Sequence, residues 1–122
     1  MTPTFRLSKI GVIMLGATDL DRSVEFYRDR LGLELTQQNA EFAFFNCGGQ
    51  TLALSKPHFK SLGKEPGCVE LVFSVEHVRS AFEALRAQGV EFRNDPRNVT
   101  GPMWSANFAD PDGHMLSIFG PE

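Results

Sequence analysis

Glu70 is the side chain whose type and surroundings best suit chemistry. It lies in an apolar stretch whose alternation predicts a strand, on the same face as Val72 and Ser74. A carboxylate on an interior sheet face is costly unless it is paired or hydrogen-bonded. We therefore expect Glu70 either to serve as a general base or ligand-binding carboxylate in a pocket, or to be a structural carboxylate. In the second case it would bond Arg6, Arg93 or a tyrosine, or be partly exposed.

The three histidines are the next candidates, because imidazole binds metals and transfers protons near neutral pH. His58 lies in a polar segment, His77 begins a predicted helix and His114 follows a turn. These positions favour surface histidines, and His58 has the best chance of a functional role because its segment could cover a site. A triad of Ser117, His114 and Asp112 can be written on paper, but no nucleophile elbow surrounds the serine.

The two cysteines, Cys47 and Cys68, belong to no CxxC pair and have no neighbouring base in the sequence, so we expect inert thiols. Two thiols without a disulfide framework suit a reducing compartment. The first residues lack the pattern of a signal peptide. A cytoplasmic protein is therefore expected.

Composition excludes several classes of partner. The 122 residues carry a formal net charge of −3 and are 42% hydrophobic and 22% charged, which is typical of one soluble globular domain. The charge balance argues against nucleic acid and anionic membranes. Neither a phosphate-binding glycine loop nor a dinucleotide motif occurs.

An internal repeat organises the chain into two modules. When Arg22-Ser23 is placed on Arg79-Ser80, the predicted helices coincide, and Gly32 falls on Gly89. The modules span about 8–57 and 68–121 and are joined by a polar linker at 58–67. We expect them to form a single domain over 1–122.

Each module is predicted to have the same order of elements, β-α-β-β-β, which makes the class α+β. In the first module we expect strands at 10–15, 33–37, 41–46 and 50–55 and a helix whose buried stripe is Leu20, Val24, Tyr27 and Leu31. In the second we expect strands at 68–75, 90–93, 103–109 and 114–119 and a helix that begins near Val78.

Two motifs carry a family resemblance. The run DLDRSVEFY at 19–27, followed by Leu31-Gly32, is similar to the first-helix signature of the vicinal oxygen chelate superfamily. That superfamily is also called the glyoxalase/bleomycin resistance/dioxygenase superfamily. The run DPDG at 110–113 is similar to the turn before its final strand. Together with the repeat, the two motifs make nearly the whole chain resemble this family.

The resemblance implies a half-open eight-stranded cup with helices outside and a ligand site on its concave face. Metal-dependent members place ligands on the first and last strands of each module, and the matching positions here are Val12, Ala53, Glu70 and Ser117. Valine and alanine offer no donor atom, and only Glu70 is a good ligand for a divalent metal. We therefore expect no metal and no other cofactor, with a divalent metal as the alternative.

Strand phase predicts which side chains line the cup. The predicted lining is Met14, Ala53, Glu70, Val72, Asn107, Ser117 and Phe119, with Phe42 or Phe45 added from the chain's eleven phenylalanines. A mostly apolar lining with a few polar points is typical of small-molecule pockets. The alternative is that these side chains fill the concavity and leave no space.

The resemblance implies the binding of a small organic molecule in an apolar cup, as a homodimer, and the charge balance argues against nucleic acid or membrane partners. One alternative is a lyase, isomerase or dioxygenase of the glyoxalase type, either metal-dependent or using Glu70 as its base. Another is a dimeric interaction module with no ligand. The ligand's identity is left open, as is whether the cup closes within one chain or between two.

Overall fold

The computed structural model describes residues 8, 10–57 and 69–122 of the chain. The first module contains β1 (Val12–Gly16), α1 (Leu20–Glu25), β2 (Glu34–Gln38), β3 (Phe42–Cys47) and β4 (Gln50–Ser55). The second contains β5 (Glu70–Ser74), α2 (Val78–Ala87), β6 (Arg97–Thr100), β7 (Met103–Ala109) and β8 (Met115–Pro121). The α+β class and the two β-α-β-β-β modules are confirmed.

The eight strands form two separate four-stranded sheets, in the orders β1-β4-β3-β2 and β5-β8-β7-β6. In each sheet the first strand runs parallel to the last, and the remaining pairs are antiparallel. Strands β1 and β5 are therefore edge strands. Within the described ranges, no strand pairing joins one sheet to the other.

Helix α1 begins as its sequence predicts and ends in a wider turn. The Asp19 carboxylate accepts a hydrogen bond from the Arg22 amide at 3.2 Å, which caps the helix. The helix continues as a π-helical turn at Phe26–Arg30, closed by a 3.0 Å bond from the Leu31 amide to the Phe26 carbonyl oxygen. The extra residue in this turn allows the adjacent Phe26 and Tyr27 both to be buried.

The predicted strand at 90–93 is wrong. That segment makes only an isolated bridge between Phe92 and Phe108, and β6 forms later, at Arg97–Thr100. The reason is a side chain that replaces the backbone: the Asn94 Oδ1 atom accepts the Asn107 amide at 3.0 Å. Pro96, two residues further along the chain, has no backbone N–H to donate. Regular pairing with β7 therefore begins only at Arg97, the first residue of β6.

One core holds both modules together. Its cluster of buried residues includes Tyr27 and Phe45 from the first module and Phe108 and Leu116 from the second, each at most 1% exposed. Full burial of a large apolar side chain stabilises a fold by about 1.5–3 kcal/mol. Gly120 of β8 lies against Val75, in the segment between β5 and α2. Glycine is required at this position because a Cβ would overlap the Val75 carbonyl oxygen.

The alternation of each strand leaves the opposite sheet faces outside this core. Ile13 and Leu15 pack against the core while Val12 is exposed, and Leu71 and Phe73 do so while Val72 is exposed. None of the described helices combines the length and the apolar character needed to cross a lipid bilayer.

Candidate functional site

Five of the predicted site residues share the outer face of the second sheet. The strand register aligns Val72 with Ser117 and Ser117 with Asn107, so one row crosses β5, β8 and β7. Glu70 and Phe119 lie on this same face, two residues along β5 and β8 from that row. Ser117 is 2% exposed whereas Val72 is 52% exposed, so the row has a buried centre and an open rim.

Glu70 is held by a chain of two asparagines. Its Oε2 atom accepts a 2.8 Å hydrogen bond from the Asn107 Nδ2 atom. The Asn107 Oδ1 atom in turn accepts a 2.9 Å bond from the Asn94 Nδ2 atom. Asn94 was not among the predicted site residues. Its signal in the sequence was weak, because an asparagine before Asp95-Pro96 is typical of an ordinary turn.

The backbone dictates the direction of this chain. An amide N–H can only donate, so Asn94 must turn its Oδ1 atom toward the Asn107 amide, and its Nδ2 atom then faces the Asn107 carbonyl oxygen. Asn107 is left with its Nδ2 atom pointing at Glu70. Glu70 is thereby the acceptor at the end of the chain, and its Oε1 atom accepts no hydrogen bond from the described residues.

The structural partners expected for Glu70 are different from those observed. Arg93 makes no ion pair with it, and across the described residues no basic side chain does. Tyr27 donates to Asp110 instead, and Arg6 lies outside the described residues. Glu70 is exposed, so its carboxylate is oriented by Asn107 without being neutralised by a described cation.

The first sheet holds Met14 and Ala53, which the register places side by side, with Phe44 opposite Ala53 on β3. Phe44 stacks on Phe42 with ring centroids 6.2 Å apart, so both lie on this outer face. Phe45 was a candidate for the cup lining and this is wrong. It is fully buried in the core, 5.9 Å from the Tyr27 ring.

The two groups of predicted site residues are not brought together within the chain. Met14 and Ala53 lie on one sheet, and the other five lie on the second sheet. Exposed apolar side chains concentrate near the sheet edges, at Ile10 and Val12 beside β1 and at Val69 and Val72 beside β5. Unpaired edge strands with exposed apolar side chains are surfaces that pair with other chains.

The four family metal positions do not fit a metal ion in this chain. Val12 and Ala53 have no donor atom, and the Glu70 carboxylate already accepts a bond from Asn107. No group of three or more His, Cys, Asp or Glu side chains that could hold a metal comes together among the described residues. The chemistry of the donor set therefore supports no step through a metal.

The other candidate side chains have structural partners or lie elsewhere. His77 is exposed and Cys47 half-buried, while His58 and Cys68 lie outside the described residues. His114 is not a free surface histidine, since its Nε2 atom lies 2.8 Å from the Gly16 carbonyl oxygen. The triad of Ser117, His114 and Asp112 is not formed. Asp112 accepts hydrogen bonds from the Thr18 and Ser23 hydroxyls and is not bonded to His114.

The two family motifs contact each other. The Thr18 hydroxyl donates to Asp112 at 2.6 Å, and the Tyr27 hydroxyl donates to Asp110 at 2.9 Å. Burial raises the pKa of Tyr27 well above its ordinary value, and the charge of Asp110 adds to this. Burial also raises the pKa of Asp110, an effect that His114 and the hydrogen bonds partly offset. Tyr27 and Asp110 are both buried, and their hydrogen bond joins the two modules.

Comparison with known proteins identifies several that are similar to this chain. It is 31% identical to YraH of Bacillus subtilis (strain 168), over 91% of this chain and 97% of that protein. It is 28% identical to a lactoylglutathione lyase of Haemophilus influenzae, over 86% of this chain and 87% of that enzyme. A crystal structure of a glyoxalase/bleomycin resistance protein/dioxygenase from Nocardioides covers 97% of this chain and 86% of its own, with 27% identity and a TM-score of 0.81.

A family model matches residues 9–118, which include both modules and both motifs. The chain therefore belongs to the glyoxalase/bleomycin resistance protein/dioxygenase superfamily.

Proposed function

We propose that this protein binds a small organic molecule on the outer face of the second sheet, with Glu70 as the polar anchor. The observation that carries the proposal is the exposed Glu70 carboxylate, which Asn107 orients on a face of mixed apolar and polar side chains. Exposed Val72 and Met115 flank it on β5 and β8. A few oriented polar groups in apolar surroundings are typical of ligand sites.

The chemistry of this anchor favours ligands that carry a cation or a hydrogen-bond donor. Oε2 is occupied by Asn107, so Oε1 is the atom that a ligand would meet. A carboxylate accepts hydrogen bonds and donates none, and charge-assisted bonds to it are the stronger ones. We therefore expect an apolar or aromatic body with an amine in preference to the same body without a donor.

We further propose that two copies of the chain complete the site. Met14 and Ala53 lie on a different sheet from Glu70, and both β1 and β5 are edge strands with exposed apolar side chains. If β1 of one copy packs beside β5 of another, the two groups of predicted site residues face one shared concavity. Dimers are common in this superfamily, which agrees with this arrangement.

The site is proposed to work without a tightly bound metal, because two of the four family positions carry no donor atom. The alternative of glyoxalase-type lyase chemistry is favoured by one observation, the similarity to the Haemophilus influenzae lactoylglutathione lyase. The alternative of a ligand-free interaction module rests on the same exposed edges as the dimer. A cytoplasmic location stays a prediction.

The experiment uses two probes with the same phenyl body, 2-phenylethylamine and its methyl ether analogue, which lacks a donor. Amide chemical shifts of Val72, Ser117 and Phe119 are followed during titration of the native protein. We expect both probes to shift these amides, with the amine binding about tenfold more tightly. Glu70→Gln should remove that difference.

Three outcomes would contradict the proposals. If neither probe moves the amides of this face, the ligand site is wrong and the interaction module gains. Equal binding of both probes would reject Glu70 as the anchor. A stoichiometric divalent metal in protein purified without chelator would overturn the metal-free proposal and favour the lyase alternative.

A further inference from the structure

A polar groove of about 480 Å³ lies where the two modules meet, and apart from Ala109 at the end of β7 its lining is separate from the sheet face around Glu70. Its walls come from α1 and the π-helical turn, from the segment after α2, and from the turn between β7 and β8. This volume lies within the range of about 300–1,000 Å³ that is typical of small-molecule sites. The proposed function does not use this groove.

Three arginines line the groove, Arg22, Arg30 and Arg93. Over the part of the chain that the structure describes, the guanidinium groups of Arg22 and Arg93 form no ion pair. Arg30 meets Glu25 at 3.8 Å, with the two side chains 46% and 59% exposed. A pair that is this long and this exposed contributes little, so all three groups remain available to an anion.

The acidic side chains of the groove limit the ligand's size and charge. Asp110 turns inward, where its Oδ1 atom accepts the Asp112 and His114 amides and its Oδ2 atom accepts the Tyr27 hydroxyl. Glu25 and Glu91 remain on the rim. Their charges prevent a large positive field, which disfavours polyanions such as nucleic acid and favours a small anion held by directed contacts.

The backbone that carries the arginines is fixed on both sides. Gln88 donates to the Arg30 carbonyl oxygen at 2.6 Å, and the Arg93 amide donates to the Asn107 carbonyl oxygen at 2.7 Å. Between them, the Phe92 ring packs against Phe108 with centroids 5.1 Å apart and forms an apolar wall of the groove. A site that is held in place before binding loses less entropy on binding.

We propose that this groove binds a small organic anion, a carboxylate or phosphate group on an apolar body. Arg22 and Arg93 bind the anionic group, since a guanidinium pairs with the two oxygens of a carboxylate or phosphate in a planar, bidentate way. Phe92 contacts the apolar body. The groove is then a second binding site, independent of Glu70.

The test is calorimetric titration of the native protein with two probes, benzoate and phenyl phosphate, at constant ionic strength. We expect at least one to bind with a dissociation constant below roughly 1 mM, and the stronger probe identifies which anion the groove prefers. Arg22→Gln and Arg93→Gln should each weaken binding about tenfold, with Arg93→Lys intermediate. Thermal midpoints of the variants verify that they remain folded.

Arg28→Gln is the matched control, because Arg28 is held by Asp29 at 2.8 Å and does not line the groove. It should leave the affinity unchanged. The proposal is overturned if neither probe binds at that concentration, or if Arg93→Gln and Arg22→Gln bind as the native protein does. An equal loss in Arg28→Gln would overturn it too, since the attraction would then be a general effect of charge.

Discussion

The Tyr27 hydroxyl donates a 2.9 Å hydrogen bond to Asp110, across a separation of 83 residues and with both groups buried. Tyr27 belongs to the first-helix motif and Asp110 to the turn motif. The two sequence motifs of the family are therefore joined directly by a hydrogen bond. Here they stabilise the junction of the two modules.

Replacing Tyr27 by phenylalanine tests this junction. The variant leaves Asp110 Oδ2 buried without its donor, so we expect a loss of about 1–3 kcal/mol in the free energy of unfolding, measured by urea titration. Thr36→Val is the control, because it removes an exposed hydroxyl that donates to the Phe44 carbonyl oxygen. That change should stay within about 0.5 kcal/mol. An equal loss in both would refute a special role for the Tyr27 contact.

The raised pKa of Asp110 predicts a pH dependence of stability. Burial raises this pKa in the folded state, so the folded protein holds the proton more tightly than the unfolded chain. The stability from this proton is fully present below the unfolded pKa of about 3.9 and is lost as pH rises through the folded pKa. Asp110→Asn has no such proton to lose.

The measurement for Asp110 is the free energy of unfolding of both proteins from about pH 3 to about pH 8, a range that begins below the ordinary aspartate pKa of about 3.9 and extends well above it. Across the window above the unfolded pKa, the stability of Asp110→Asn should rise relative to that of the native protein. The other carboxyl groups contribute equally to the pH dependence of both proteins, so their contributions cancel when the two free energies of unfolding are subtracted. A difference that does not change with pH would contradict the prediction.

Asn94 should control the Glu70 site without touching a ligand. Asn94→Ala removes the hydrogen bond that the Asn94 Nδ2 atom donates to the Asn107 carboxamide oxygen, and also the bond that Asn94 accepts from the Asn107 backbone amide. The Asn107 carboxamide then keeps only its bond to Glu70 and can rotate more freely. We expect the affinity for 2-phenylethylamine to fall about three- to tenfold and its advantage over the ether analogue to shrink. Asn98→Ala, which removes bonds to the Gly101 and Met103 carbonyl oxygens, should leave that advantage intact. Equal effects of the two variants would show that Asn94 has only a structural role.

Gly120 should be intolerant of any side chain. Gly120→Ala forces β8 away from the Val75 carbonyl oxygen, and overpacking of this kind costs about 1–3 kcal/mol. Gly11→Ala is the control, since no atom lies within 4 Å of the added Cβ there. Thermal unfolding of the two variants decides the matter, and a Gly120→Ala midpoint equal to that of Gly11→Ala would contradict the predicted overlap.

The proposed dimer depends on the edge strand β1. Val12→Asp places a charge on a side chain that is 42% exposed, so the monomer should fold while dimerisation weakens by about tenfold or more. Sedimentation equilibrium measures this, with Val99→Asp on β6 as a control of similar exposure, 50%. If the native protein sediments as a monomer at micromolar concentration, the shared site is wrong.

Local signals predicted most of the fold. The order of the elements in each module and the boundaries of β4 and β7 follow from residue type and spacing. The strand predicted at 90–93 does not form, because the Asn94 side chain accepts the hydrogen bond of the Asn107 amide. In a regular strand pair a backbone carbonyl oxygen would accept that bond. A side chain that substitutes for the main chain leaves no trace in the hydrophobic pattern.

The candidate site, like the fold, was predicted from the sequence only in part. Strand alternation placed Val72 with Glu70 and Phe119 with Ser117, because side chains on a strand point to opposite sides in turn. The family resemblance predicted that these pairs and Asn107 share one face, and the strand register agrees. Only the tertiary structure decided that Asn94 orients Glu70, that Phe45 belongs to the core, and that Arg22, Arg30 and Arg93 line one groove. Those relationships join segments far apart in the chain, and spacing along a sequence carries no information about which distant segments pack together.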